Sequence, residues 1–273
     1  MSEQEKLIGP HPINHEFFSR LLKSEDIPAT SNKRHRKLSE NNNNSIEQAI
    51  DLISDWIIKH HLSDDTIARK KNVYKKNGLN KLSERILGLP DDYITKKGNF
   101  AEIILCEYLV STSKLIPLVY RLRYNPNINQ SMKGDDVLLL DTNNFKKIII
   151  GEAKFRTIPN KPVVDEIIEG FKKHNSLPIS LPFIATMLEK EGNLDLSEKI
   201  EELNFSNTID DVNIVNAGFL LSNNDTAHII EKHGDSDNKK LILISLGIPN
   251  PEDIVMKSFE SAIKKLKAKI NET

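Results

Sequence analysis

The sequence predicts an α/β domain from about residue 90 to the end, preceded by a helical N-terminal extension over residues 1–90. Three observations carry this reading. Two aliphatic runs, Val137-Leu138-Leu139-Leu140 and Ile148-Ile149-Ile150, are separated by Asp141-Thr142-Asn143-Asn144, a turn composition that suits an antiparallel hairpin. Segments of helical period stand on both sides of that pair. Two more apolar runs, residues 212–221 and 241–246, follow with helical sequence between and after them.

The elements follow in order. Residues 1–44 lack periodicity apart from a short element near 12–21, and Lys33-Arg34-His35-Arg36-Lys37 reads as a solvated basic loop. Residues 45–60 read as a helix. Ser45 is a plausible N-cap with Gln48 three positions on, and Ile46, Ile50, Ile53 and Ile57 form an apolar stripe with Trp56 beside it. Residues 64–87 are helical and lysine-rich, interrupted near Gly78, with Lys70, Lys71, Lys75 and Lys76 as a solvated face. Residues 95–113 form the strongest helix of this half: Phe100, Ile103, Ile104, Tyr108 and Leu109 make it apolar, yet Glu102 sits among them.

Residues 118–124 are strand-like and 125–133 a polar loop. The hairpin strands follow at 136–140 and 147–155. A helix is predicted at 163–174, shorter ones at 183–190 and 195–204, a strand at 212–221, a helix at 225–232 and a buried strand at 241–246. Pro251 opens the final helix at a first-turn position, where Ile254, Phe259, Ile263, Leu266 and Ile270 give the apolar stripe.

Composition narrows the function. Across 273 residues, 38% hydrophobic and 28% charged content is that of an ordinary globular protein. The 38 basic and 39 acidic residues leave a net charge of −1, which argues against a dedicated nucleic-acid-binding module and suits an enzyme delivered by a partner. A lone cysteine, Cys106, excludes a disulfide framework and a multi-cysteine zinc site; it is expected as a small buried hydrophobe. No apolar run has bilayer length and the polar start is unlike a signal peptide, so a cytoplasmic protein is expected. Gly-x-x-x-x-Gly-Lys-Ser/Thr and Gly-x-Ser-x-Gly are both absent, so neither ATP hydrolysis nor simple serine-hydrolase chemistry is expected of the chain itself.

The chemistry concentrates on the hairpin. Gly134-Asp135-Asp136 heads the first apolar run, and Gly151-Glu152-Ala153-Lys154 ends the second. The two-residue period of a strand points Glu152 and Lys154 to one face. Phosphodiester hydrolysis needs an activated water and a stabilised oxyanion, and Mg²⁺ serves both needs through carboxylate, water and phosphate oxygens. Asp136 and Glu152 are the candidate metal carboxylates, with the Ala153 carbonyl as a further ligand. Lys154 would orient the water or offset phosphate charge, and Glu102 would add a direct or supporting carboxylate. Asp136 is preferred to Asp135 because it abuts the apolar run and fits Gly-x-Asp. The plain alternative is a Glu–Lys surface pair on an edge strand. Asp237-Asn238-Lys239 repeats the spacing in a polar loop with no acid-headed strand before it, and is read as a decoy. His60-His61 is read as a helix C-terminal cap, and His228 and His233 lack a partner set.

Glu102 on a helix, Asp136 heading a strand and Glu152-x-Lys154 ending the next resemble the PD-(D/E)xK nuclease superfamily. Gly98-Asn99-Phe100-Ala101-Glu102, Gly134-Asp135-Asp136, Gly151-Glu152-Ala153-Lys154-Phe155-Arg156 and Asn216-Ala217-Gly218-Phe219-Leu220-Leu221 more closely resemble the HamA effectors of Hachiman anti-phage defence, over about residues 90–250. The resemblance implies a restriction-endonuclease-like core, a central mixed sheet flanked by helices. It implies Glu102, Asp136, Glu152 and Lys154 as catalytic residues, and Mg²⁺, with Mn²⁺ as a substitute, on Asp136, Glu152 and Ala153. It also implies DNA as a substrate cut with little sequence preference, and a HamB-like superfamily 2 helicase that senses DNA with ATP and restrains the nuclease. Residues 1–90, with exposed charge and one tryptophan, are then expected to join the helicase interface. A sequence-specific restriction endonuclease and an inactive nuclease-fold scaffold or DNA-binding subunit are the alternatives.

Overall fold

A computed structural model describes residues 1–41, 46–77, 87–130, 133–143, 145–172, 178–205 and 212–271. Ser45, Gly78, Asn144 and His174 lie outside the described residues, as do the side chains of Lys75 and Lys76.

A seven-stranded mixed sheet organises the chain, in the order β1 (Leu22–Ile27), β2 (His35–Glu40), β7 (Leu241–Gly247), β6 (Asn213–Ser222), β5 (Lys147–Phe155), β4 (Val137–Leu140), β3 (Ile116–Pro117). Strands β2, β7, β6 and β5 run parallel; β1, β4 and β3 are antiparallel to their neighbours. The inner parallel strands are covered on both faces, which is why β6 and β7 read as continuous apolar runs. The helices are α1 (Glu3–Ile8), α2 (Phe18–Leu21), α3 (Ile50–His61), α4 (Asp64–Asn77), α5 (Tyr93–Ser113), α6 (Lys161–Lys172), α7 (Leu181–Lys190), α8 (Leu194–Phe205), α9 (Thr226–His233) and α10 (Pro251–Asn271).

Alternation along β5 divides the core. Ile149, Ala153 and Phe155 pack with Phe100 and Tyr108 of α5, Ile57 of α3 and Phe259 of α10. Ile148 and Ile150 pack on the other face with Ile167 of α6 and Leu181 of α7. The result is helix, sheet, helix, with the predicted hairpin inside the sheet.

The N-terminal half corrects the expectation of a helical extension. It holds α1 to α4, but also β1 and β2, and β2 pairs in parallel with β7 through Arg36↔Ile244. His35, Arg36 and Lys37 of the basic cluster are therefore strand rather than solvated loop. Arg36 is 1% exposed and bonds both carboxylate oxygens of Asp26, at 2.6 and 2.9 Å. It also donates to the Gly9 carbonyl, and His35 meets the Ser245 hydroxyl at 2.8 Å. Buried charge is tolerated where partners satisfy it, and these partners are distant in sequence. Trp56 is likewise buried, 5.2 Å from the Phe17 ring and 5.7 Å from Phe18, so it presents no docking surface.

The predicted strand at 118–124 is also corrected. Pairing covers only Ile116 and Pro117, and a single 3₁₀ turn, Arg121–Tyr124, follows. Proline cannot donate to a ladder, and Leu118 and Val119 turn toward the core beside α6 and α7. Of the two adjacent histidines, His61 does bond a helix-end carbonyl, that of Ile57 at 2.8 Å, whereas His60 pairs with Glu107 at 2.8 Å. Cys106 is buried as expected. Among the described residues, no helix is long and apolar enough to cross a membrane.

Candidate active site

Helix α5 carries Glu102 to the end of the hairpin. Its start is fixed by Asp92, whose carboxylate accepts the Thr95 N–H at 2.7 Å, an N-cap bond. Its close approach to the sheet depends on Gly151, where a Cβ would stand 2.8 Å from Val137 Cβ and 2.9 Å from Leu105 Cδ2. Glu102 itself is buried.

The hairpin supplies the rest. Val137 pairs with Gly151, so Asp136 lies opposite Glu152 one step along the ladder. The Ala153 N–H donates to Asp136 Oδ2 at 2.9 Å, so Ala153 reaches the cluster through its N–H. Lys154 Nζ stands 2.7 Å from Glu152 Oε1, the same-face pair that strand alternation requires, and 3.0 Å from Glu166 Oε1 on α6. Arg156 holds the other Glu166 oxygen at 3.0 Å. Asp135 is engaged elsewhere: its Oδ2 accepts the Ser180 N–H at 3.1 Å and its own N–H donates to Ser180 Oγ at 2.9 Å. That tie to α7 leaves Asp136 as the acid in the cluster.

Arg121, which the sequence reading did not single out, joins the pieces. Its Nη2 donates to Glu102 Oε1 and to Asp136 Oδ1, both at 2.9 Å. Its Nε reaches Glu102 Oε2 at 3.2 Å and its Nη1 the Asp135 carbonyl at 2.9 Å. Nothing local marks this arginine. Only the surplus of acids in the predicted site asks for a cation. Glu166 was missed for the same reason, lying on a helix whose register against β5 is a tertiary matter.

The electrostatics follow from this crowding. Burial, then the Glu102 and Glu152 charges, push the Asp136 carboxyl well above the ordinary range, against the pull of Arg121 and the Ala153 N–H. Burial opposes the Arg121 charge, but Glu102 and Asp136 outweigh it and raise its pKa further. Lys154 is also raised: Glu152 and Glu166 outweigh its desolvation. A cavity of about 220 Å³ opens beside the cluster, walled by Cys106, Tyr120, Val137 and Phe183, with Glu102 and Asp136 in its lining.

Glu102, Asp136 and Glu152 are oxygen donors, the type Mg²⁺ and Mn²⁺ take, and their mutual repulsion at Asp136 marks a place short of positive charge. The donor chemistry fits a divalent metal. Yet no group of three or more His, Cys, Asp or Glu side chains among the described residues is arranged to hold one. A guanidinium spans Glu102 and Asp136, and an ammonium sits on Glu152. Asp237 and Lys239 remain apart from the cluster, with the Lys239 ammonium on the Ser31 carbonyl.

The Hachiman protein HamA of Bacillus cereus is 40% identical to this chain over 265 residues, covering 96% of each. The HamA family model matches residues 15–262, well beyond the 90–250 stretch of the motif resemblance and inclusive of β1 and β2. The N-terminal strands are thus part of what is shared, and the chain belongs to the HamA family.

Proposed function

We propose that this chain is a metal-dependent deoxyribonuclease, the effector of a Hachiman anti-phage defence complex, with a PD-(D/E)xK site built on Glu102, Asp136, Glu152 and Lys154. One observation carries the reading: a helix glutamate and the acid that heads a strand meet at a single guanidinium, and the Glu-x-Lys strand is tied to that same acid through the Ala153 N–H. A surface Glu–Lys pair has no use for Glu102 and Asp136 beside it.

In this reading Asp136 and Glu152 hold Mg²⁺, with Mn²⁺ as a substitute and the Ala153 carbonyl as a further ligand. The metal, when bound, supplies an activated water and stabilises developing charge on the phosphate. Lys154, already charged and held by Glu152 and Glu166, orients that water or offsets the phosphate. Glu102, on α5, adds a supporting carboxylate, linked to Asp136 through Arg121. A net charge of −1 suits a nuclease brought to DNA by a partner, and a HamB-like superfamily 2 helicase is the proposed partner. Its interface includes exposed charge of residues 1–90, without Trp56.

The test is cleavage of plasmid and linear DNA by the purified chain in Mg²⁺ or EDTA, with and without a HamB-like helicase and ATP. A Glu152→Ala/Lys154→Ala variant runs in parallel, with its melting point as the control for folding. Metal-dependent degradation to a smear, absent from a folded variant, supports the reading. Discrete fragments point to a sequence-specific endonuclease. Cleavage by the variant at wild-type rate overturns the site, and no cleavage with the helicase present favours a scaffold.

A further inference from the structure

We propose that Arg121 is a resident cation that keeps the carboxylate site closed, and that the site takes a divalent metal only when the segment carrying Arg121 withdraws. This inference rests on the metal-dependent reading and adds its control.

The geometry sets guanidinium and metal in competition for Asp136. A single nitrogen, Arg121 Nη2, lies 2.9 Å from Glu102 Oε1 and 2.9 Å from Asp136 Oδ1. A divalent metal on Asp136 would need the carboxylate that Arg121 already holds, and would bring a second positive charge beside the guanidinium. The second oxygen of Asp136 already accepts the Ala153 N–H. Arginine does not lose its proton in proteins, so the competition does not end by titration. It ends by movement.

The chain around Arg121 has little sheet pairing and is held from two sides, by the end of α7, where the Tyr124 hydroxyl donates to Glu191 and its ring meets Phe183, and by a latch on α3. Ahead of it the sheet pairing of β3 covers only two residues, and Arg121–Tyr124 is one isolated turn. The latch is the C-terminal end of α3. Arg123 Nε and Nη2 donate to the Lys59 carbonyl at 3.0 and 2.7 Å. The Tyr120 ring packs edge-on against His60, 4.6 Å between centroids, with the Lys59 and Arg123 cations over it at 5.1 and 4.6 Å. The neighbours of Arg121 on both sides are therefore held by α3, while Arg121 itself holds the site. The cavity beside the cluster, with the Tyr120 and Phe183 rings in its wall, offers the guanidinium room and aromatic faces when it leaves the carboxylates.

Two states of one segment then set metal affinity: the apparent affinity is the intrinsic one reduced by the fraction of molecules with Arg121 withdrawn. The test is thermal unfolding of the full chain over a range of Mn²⁺ concentrations, with no DNA, for wild type, Arg121→Gln, Arg123→Ala and Glu152→Ala. The proposal expects Arg121→Gln to reach half-maximal stabilisation at a Mn²⁺ concentration at least about tenfold below wild type. Arg123→Ala, which retains the guanidinium and loosens only its latch, shifts the same way by a smaller factor. If Arg121→Gln fails to fold, Arg123→Ala decides alone. Equal half-saturation in wild type and both arginine variants, with the response lost in Glu152→Ala, overturns the closed-site proposal and leaves the nuclease reading standing. No Mn²⁺ response in any variant overturns both.

Discussion

The Ala153 N–H donates to Asp136 Oδ2 at 2.9 Å, tying the acid that heads β4 to the residue between Glu152 and Lys154 on β5. This bond fixes the acid across the hairpin without using either charged neighbour of Ala153. It also holds Asp136 where burial and two other carboxylates act against its charge. The arrangement is poor for stability and suited to binding a cation, the exchange often found where a site has been kept for function.

Asp136→Asn tests that exchange. A carboxyl whose folded-state pKa is raised holds its proton longer in the folded than in the unfolded chain. Folding stability therefore declines as pH rises from the unfolded carboxylate pKa through the folded one. The amide keeps the shape and removes the charge, so the variant is expected to melt no lower than wild type at pH 8. Cleavage is expected to fall to background. The melting difference between the two proteins should shrink toward pH 4, where wild-type Asp136 is protonated. Thermal melts at both pH values decide it, and a variant several degrees less stable at pH 8 shows that Asp136 is a net stabilising member of an ion pair.

Gly151→Ala separates the position of Asp136 from its chemistry. The added Cβ would meet Val137 Cβ at 2.8 Å and Leu105 Cδ2 at 2.9 Å, and the first of these is too close to the backbone to yield. Overpacking of this kind costs about 1–3 kcal/mol. Leu105 Cδ2 is the end of a flexible side chain and can turn aside, so the strain falls on the backbone of β4, the strand that Asp136 heads. Urea denaturation should show that loss, and cleavage at a temperature where both proteins are folded should drop as well. A loss of stability with full cleavage would mean that the Val137 clash relaxes without displacing Asp136.

The parts of this fold legible in the sequence are those whose signal is local. Ile148, Ile149 and Ile150 with the turn residues after Leu140 define the hairpin. The two-residue period then places Glu152 and Lys154 together without tertiary information. Strand β1 reads Leu-Lys-Ser-Glu-Asp-Ile, too charged for a strand signal, and exists because Asp26 meets Arg36 and Ile27 pairs with His35. Strand β2 closes on β7 at the far end of the chain. Arg121 lies in a segment whose apolar residues suggested a strand, and its role depends on three contacts that no spacing encodes.

Acid sensitivity should come from two buried histidines. Burial lowers His35 and His61 to about 4 each. A histidine with a depressed folded-state pKa contributes stability that is present above its unfolded pKa, about 6.5. That stability is lost as pH falls from there toward the folded value, because only the unfolded chain takes up the proton. Between pH 7 and pH 5 the loss is on the order of 2 kcal/mol per histidine. Urea midpoints at the two pH values measure it. His35→Gln, which keeps a polar group near Ser245, should reduce the slope, and an unchanged slope would assign the acid sensitivity to other groups.

Arg36 gives the sharpest separation of stability from chemistry. Its guanidinium holds Asp26 by two bonds, the Gly9 carbonyl at 2.9 Å and the Tyr108 hydroxyl at 3.4 Å, so it joins β1, β2, the end of α1 and α5. Removing one member of a buried pair leaves the other charge without compensation, at a cost of about 3–5 kcal/mol. Arg36→Ala is expected to lose that much in urea denaturation, and Arg36→Met/Asp26→Leu to recover most of it, because no buried charge is left unpaired. Strand β2 is separated from β5 by β7 and β6, so the double variant should cleave DNA at the wild-type rate per folded molecule. If it folds stably but does not cleave, the N-terminal strands act on the site itself, and the route would be α5, where Tyr108 and Glu102 share one helix.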